Sequence, residues 1–189
     1  MGHLSRTPID LIRASVWIRP AGEALDRIRE VTRCLSVRGG GPEVEPHLTL
    51  LSGIETTRVD AGLKLKRLAS RLSPFTVRLG KIDWRADYYR CLYVTVQRTS
   101  ELVAAQRAAH EAFEMNPPAP FKPRVSLFYG TLDDETEREL AEATGGLLEV
   151  SFKATAVQLV NAAPGVPVSE WRTLSEWKLA HSEEAATHH

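Results

Sequence analysis

Cysteine is scarce, with two thiols, Cys34 and Cys91, in 189 residues. Two isolated thiols exclude a disulfide framework and a paired-cysteine metal finger, so both are read as buried. An excess of charge is also lacking: 24 Lys and Arg balance 24 Asp and Glu for a formal net charge of zero. No broad field therefore draws the chain to duplex nucleic acid or to an anionic membrane, and any anion must be held by a local site. No apolar run approaches the ~20 residues of a membrane-spanning helix, and the polar start from Met1 to Ile12 has no signal-like apolar core. A cytoplasmic protein with no membrane partner is expected. The Gly39-Gly40-Gly41 run lacks the Lys-Ser/Thr of a P-loop, and neither a carboxylate pair nor a Cys/His cluster is seen. Neither metal nor cofactor is expected.

What is present is a hydrophobic content of 43% beside 25% charged residues, enough for a soluble core. Four of the six histidines, His3, His181, His188 and His189, fall in polar chain ends, leaving His47 and His110 for interior chemistry. His110 sits in a helical pattern beside Glu111 and Phe113 with no strand hydroxyl near it, and is expected to be non-catalytic.

Period and punctuation predict strands over Leu11–Ile18, Val44–Gly53, Thr76–Ile82, Cys91–Gln97, Pro123–Gly130, Ser151–Val160 and Arg172–Leu179. Helices are predicted over Glu23–Leu35, Val59–Leu72, Ser100–Phe113 and Asp133–Ala143, with Ser100 as the cap of the third and Pro or Gly runs ending most of them. The glycine run after the first helix is a place for a binding loop. The order is strand, helix, strand, helix, then the same again.

Set side by side, Pro46-His47-Leu48-Thr49-Leu50-Leu51-Ser52-Gly53 and Pro123-Arg124-Val125-Ser126-Leu127-Phe128-Tyr129-Gly130 align over eight positions without a gap. Proline, an apolar residue, a hydroxyl, leucine, an apolar residue and glycine recur in register, so the repeat is internal. Strand alternation places His47 with Thr49, and Arg124 with Ser126, each pair on one face.

On these residues the chain resembles the 2H phosphoesterases, which carry two His-x-Thr/Ser motifs on paired strands of two pseudo-symmetric lobes. It is most similar to the cyclic phosphodiesterase branch, through Ser15-Val16-Trp17, Glu45-Pro46-His47-Leu48-Thr49, the run from Tyr88 to Tyr93, and Pro123 to Gly130. The resemblance implies an α+β fold, residues 13–180 forming one bilobal domain between tails at 1–12 and 181–189, each lobe an antiparallel sheet with flanking helices around a central cleft. It implies hydrolysis of nucleoside 2′,3′-cyclic phosphates, or of ADP-ribose 1″,2″-cyclic phosphate, by a monomer that takes a small cyclic nucleotide or phosphate ligand and no duplex nucleic acid. By the same resemblance the catalytic set is His47, Thr49, Arg124 and Ser126. Tyr129 lies at the phosphate, and Tyr88, with Trp84 behind, stacks the base. Trp17 fits core and pocket equally.

The departure is Arg124, which stands where the family has its second histidine. A guanidinium stays charged at working pH, so it cannot be the base and is a poor acid, although it can grip phosphate with paired hydrogen bonds. An introduced substitution, a natural phosphate-binding pseudoenzyme and a natural variant with weak catalysis through His47 all fit, as does, more plainly, a solvated charge. Trimming of RNA ends and nucleotide sensing without turnover remain open.

Overall fold

The computed structural model describes residues 10–85, 92–117, 120–144, 148, 150–163 and 165–180. β1 (Leu11–Ile18) turns at Pro20 into α1 (Gly22–Gly39), whose Ile28, Val31 and Leu35 recur at helical spacing and are buried. β2 (Leu48–Thr57) leads into α2 (Arg58–Arg71), where the Thr57 hydroxyl accepts a hydrogen bond from the Asp60 amide at 3.2 Å and so caps the helix. β3 (Phe75–Trp84) and β4 (Leu92–Val96) precede α3 (Ser100–Ala112), capped by Thr99 rather than the expected Ser100, since the Thr99 side chain accepts from the Leu102 amide. β5 (Arg124–Phe128), α4 (Asp134–Thr144), β6 (Ser151–Ala154), β7 (Ala156–Val160), a 3-10 turn at Val168–Glu170 and β8 (Thr173–Lys178) complete the order.

All strand pairs are antiparallel, in the order β6-β3-β4-β5-β2-β1-β7-β8. The sheet divides into two four-stranded halves that meet where β5 pairs with β2. Each half carries one β-α-β-α unit, β1-α1-β2-α2 or β4-α3-β5-α4, and each supplies one copy of the repeat to the seam. The first helix of each unit packs on the other unit's seam strand, α1 on β5 and α3 on β2. Leu48, Leu50, Val125 and Leu127 are at most 2% exposed, at about 1.5–3 kcal/mol for each fully buried side chain of this size, so the seam is held from behind by core packing.

Two expected strands are built differently. The segment from 151 to 160 is not one strand: Ser151–Ala154 pairs with β3 and Ala156–Val160 with β1 and β8. Only Thr155 separates them, and one residue spans at most ~3.6 Å. Near-opposite positions in the strand order are thus joined by a single residue, which requires the sheet to curl. β2 begins at Leu48 rather than Val44, and it runs through Gly53 to Thr57 instead of stopping there. Gly53 has φ 78°, and the β1–β2 register shifts between Ala14 and Val16, so the glycine is a bulge in a continuing strand. Cys34 is exposed, against expectation, because the buried stripe of α1 passes through Val31, Thr32 and Leu35. Cys91 lies outside the described residues.

The glycine run is a packing surface, not a binding loop. A Cβ at Gly41 would lie 2.4 Å from the Tyr129 carbonyl oxygen and 2.5 Å from the Phe128 ring, directly behind β5. Gly41→Ala is therefore expected to lower stability by about 1–3 kcal/mol, because a backbone oxygen cannot step aside as a flexible side chain can. Gly62→Ala, in the open on α2, is expected to raise stability by about 0.5–1 kcal/mol. Urea denaturation of the two variants checks the contrast.

Candidate active site

The seam fixes the site. Antiparallel pairing of Leu48 with Val125 sets His47 toward Ser126 and Thr49 toward Arg124, the two repeats running past each other in opposite directions. β4 extends both rows, since Tyr93 pairs with Ser126 and Thr95 with Arg124. β1 extends them on the other side, where Trp17 pairs with Thr49. His47, Thr49, Arg124, Ser126 and Tyr129 line one cleft of about 1020 Å³. The structure thus brings together five of the six residues singled out from the sequence. Tyr88 lies outside the described residues, and Trp84 is 38% exposed.

His47 stands immediately before β2 and is 5% exposed. Its Nδ1 is 2.7 Å from the Glu45 carbonyl oxygen. A carbonyl can only accept, so Nδ1 carries the proton and Nε2 is left as the basic nitrogen. The Trp17 ring stacks on the imidazole, centroids 3.5 Å apart and planes 11° from parallel, and Trp171 meets it edge-on at 6.1 Å. Burial, and then the positive charge of Arg19, push the His47 pKa down to about 3. The Glu45 carboxylate is paired with Arg19 and Arg29, so one residue orients His47 through its backbone and anchors two cations through its side chain. At neutral pH the group is an uncharged imidazole held in one tautomer and one orientation.

Arg124 is placed differently. Its guanidinium carbon lies 5.7 Å from the Tyr93 ring centroid, within cation–π range, and the Tyr93 hydroxyl donates to Asp83 at 2.8 Å. Burial is the main cause raising the Tyr93 pKa, with the Asp83 hydrogen bond next, so the phenol stays protonated. Ser126 is 7% exposed, Thr49 is partly exposed, and Tyr129 is buried against Trp171 at 5.9 Å. Among the described lining residues, Arg85, Arg98, Lys122 and Arg124 face a single carboxylate, Asp83. The neutral chain therefore carries a locally cationic cleft, suited to an anion.

Sequence reasoning missed Tyr93 and Trp171. Tyr93 had a signal, since Tyr93 and Thr95 alternate on the strand that abuts the second motif. Trp171 had none, because it enters from the irregular segment between β7 and β8 and its contacts are set by the curl of the sheet. Trp17, which fitted core and pocket equally, is a core residue that backs the site: it is 4% exposed, packs with Val160 and Ala162, and covers one face of His47. His110, expected to be non-catalytic, is buried and lines the cleft. No group of three or more metal-ligating side chains occurs among the described residues, and no helix there is long and apolar enough to cross a membrane.

The model of the 2′-5′ RNA ligase superfamily matches residues 17–165. A cyclic phosphodiesterase of Arabidopsis thaliana is 24% identical over 164 residues, covering 87% of this chain and 90% of that protein. A putative phosphoesterase of Bacillus anthracis is 32% identical over 98 residues, 49% of this chain and 56% of that protein. In fold, the chain is similar to E. coli LigT in its apo form, with a TM-score of 0.62 at 18% identity over 91% of this chain and 99% of LigT. LigT complexed with 3′-AMP gives a TM-score of 0.59 at 18% identity over 90% and 99%.

The buried imidazole has a consequence for stability. In the unfolded chain His47 takes up a proton near pH 6.5, whereas in the folded protein it does so only near pH 3. Between these values the unfolded state binds more protons, so this group costs up to about 1.4 kcal/mol of stability per pH unit as the pH falls. Urea denaturation at pH 7 and pH 5 is expected to show a smaller loss for His47→Gln than for the parent protein, by up to ~2 kcal/mol.

Proposed function

The chain belongs to the 2′-5′ RNA ligase superfamily, the 2H phosphoesterases, and from that premise we propose that it binds nucleoside 2′,3′-cyclic phosphates at the β2–β5 seam and hydrolyses them slowly to monophosphates, with His47 as its one proton-transfer group. The observation that carries this is a neutral, Nε2-basic imidazole and a permanent cation brought to one cleft by a single strand pairing. Similarity to a cyclic phosphodiesterase over most of both chains supports the substrate class, and the complex of LigT with 3′-AMP supports a nucleoside phosphate in this fold.

In this scheme Arg124 grips the phosphate, and the Thr49 and Ser126 hydroxyls donate to its nonbridging oxygens. Tyr129 closes that side. His47 Nε2 takes a proton from a water as the water oxygen bonds to phosphorus. The bond from phosphorus to one ribose oxygen breaks, and that oxygen takes its proton from solvent because the guanidinium does not release one. His47 then returns its proton to solvent. Absence of a general acid costs roughly 10²–10⁴ in rate, which is the sense in which Arg124 impairs this form. ADP-ribose 1″,2″-cyclic phosphate presents the same reacting group. The locally cationic cleft also favours a second outcome, a nucleotide sensor that binds product and does not turn over.

Arg124→His is expected to raise the rate of 2′,3′-cyclic nucleotide hydrolysis by about 10²–10⁴, and His47→Ala is expected to abolish it. Calorimetry with nucleoside monophosphates runs alongside. Tight product binding by both the parent and Arg124→His forms, with neither turning over, would establish the sensor and overturn the enzyme. In the parent, kcat/KM is expected to stay level from pH 8 to pH 5, because the His47 pKa lies at about 3. An acid limb near pH 6.5 would contradict the assigned state of His47.

A further inference from the structure

The same cleft has a second wall that the phosphate chemistry does not use. It is formed by α3, where Gln106 and His110 stand four residues apart and so share one helix face. Each is 5% exposed. Gln106 Nε2 and His110 Nδ1 are buried without a hydrogen-bond partner, which is costly for any polar group and unusual for two on adjacent turns. Methionine or leucine would fill the same space without that cost. Burial lowers the pKa of His110 while hydrogen bonds to the backbone of Met115 and Asn116 raise it, and the net direction is downward, so the ring is neutral; its N–H is engaged by that backbone and its unpartnered Nδ1 is left as an acceptor beside the Gln106 amide donor.

We propose that Gln106 and His110 form a base-reading subsite, which hydrogen-bonds the edge of the nucleobase whose phosphate sits at the β2–β5 seam. The proposal rests on the nucleotide-binding function above and goes beyond it, since it assigns base preference to two residues outside both repeats. An amide and a neutral imidazole side by side supply the planar donor and acceptor pattern that base edges complement, and an amide side chain can pair with a base through two hydrogen bonds. Phe121, partly buried, lines the same cleft and supplies an aromatic face for stacking. At about 1020 Å³ the cleft stands at the upper end of ligand pockets, which run to about 1,000 Å³, so it holds more than a phosphate and a ribose. The packing of α3 on β2 ties this wall to the strand that His47 precedes.

Binding of the 3′-monophosphates of adenosine, guanosine, cytidine and uridine, with ribose 5-phosphate as a base-free probe, tests this by calorimetry. The parent protein is expected to separate the best and worst nucleotides by about tenfold or more, as one well-paired base edge does. Gln106→Met and His110→Leu are expected to shrink that spread to within about threefold while leaving ribose 5-phosphate affinity unchanged. His110→Asn, which keeps a polar atom near the Nδ1 position, is expected to retain most of the preference. If His110→Leu does not fold, as judged by circular dichroism, Gln106→Met and His110→Asn decide. An unchanged spread in the variants, an equal weakening of all five probes, or a parent protein without base preference would overturn the subsite and leave the phosphate site standing. Failure of the parent to bind any of the five would overturn both.

Discussion

The pairing of β2 with β5 is the constraint on which the rest depends. One antiparallel contact, Leu48 with Val125, joins two four-stranded halves and decides that the polar faces of the two repeats meet. A slip of β2 by one residue against β5 would turn His47 and Thr49 toward the core and Leu48 toward the cleft, leaving Arg124 and Ser126 without their counterparts. The register is guarded from behind, because α1 and α3 each pack on the strand contributed by the other repeat, and Gly39 and Gly41 let the chain lie against Phe128 with no room for a side chain. Folding and site assembly are in this sense one event.

The chemistry that follows is asymmetric. On the β2 side, stacking on Trp17, burial and the Glu45 carbonyl make His47 a neutral base with one defined tautomer. On the β5 side, Arg124 brings a charge that no accessible pH removes, set over the Tyr93 ring. A pair of imidazoles can exchange roles as acid and base, whereas an imidazole facing a guanidinium cannot. In the proposed hydrolysis, water activation falls to a His47 that is unprotonated at working pH but, with a pKa of about 3, a weak base until a bound phosphate raises it. The second half of that proposed reaction, protonation of the leaving oxygen, has no imidazole on the β5 side to perform it, so the proposal expects tight phosphate binding together with slow turnover.

Much of this was legible in the sequence. The helices, the alternation of β-α-β-α units and the eight-position repeat were local patterns, and local patterns survive folding when the core does not compete with them. The repeat also brought its candidate residues together, because strand period and register set two matched octets along one cleft. What was hidden depended on long-range geometry. No glycine or proline marks Thr155 as the point where the stretch from Ser151 to Val160 changes partners from β3 to β1. Gly53 has the composition of a strand end and the conformation of a bulge. Cys34 follows the statistics of buried thiols yet falls off the buried stripe of α1. Gln106 and His110 look like ordinary helix residues until the cleft is seen to run past them, and Trp171 reaches His47 only because the sheet curls.

The central claim is that the two repeats act on one phosphate across the seam, with His47 neutral and Nε2-basic on one side and Arg124 charged on the other. Nitrogen-15 NMR of histidine-labelled protein, with His47 assigned by comparison with His47→Gln, tests it most directly. The expected spectrum at pH 7 shows His47 protonated at Nδ1 only and unchanged down to pH 5, with its pKa rising when a nucleoside monophosphate binds and that rise lost in Arg124→Ala. A free-protein His47 that titrates near pH 6.5, or a nucleotide-induced shift that survives removal of Arg124, would contradict the account.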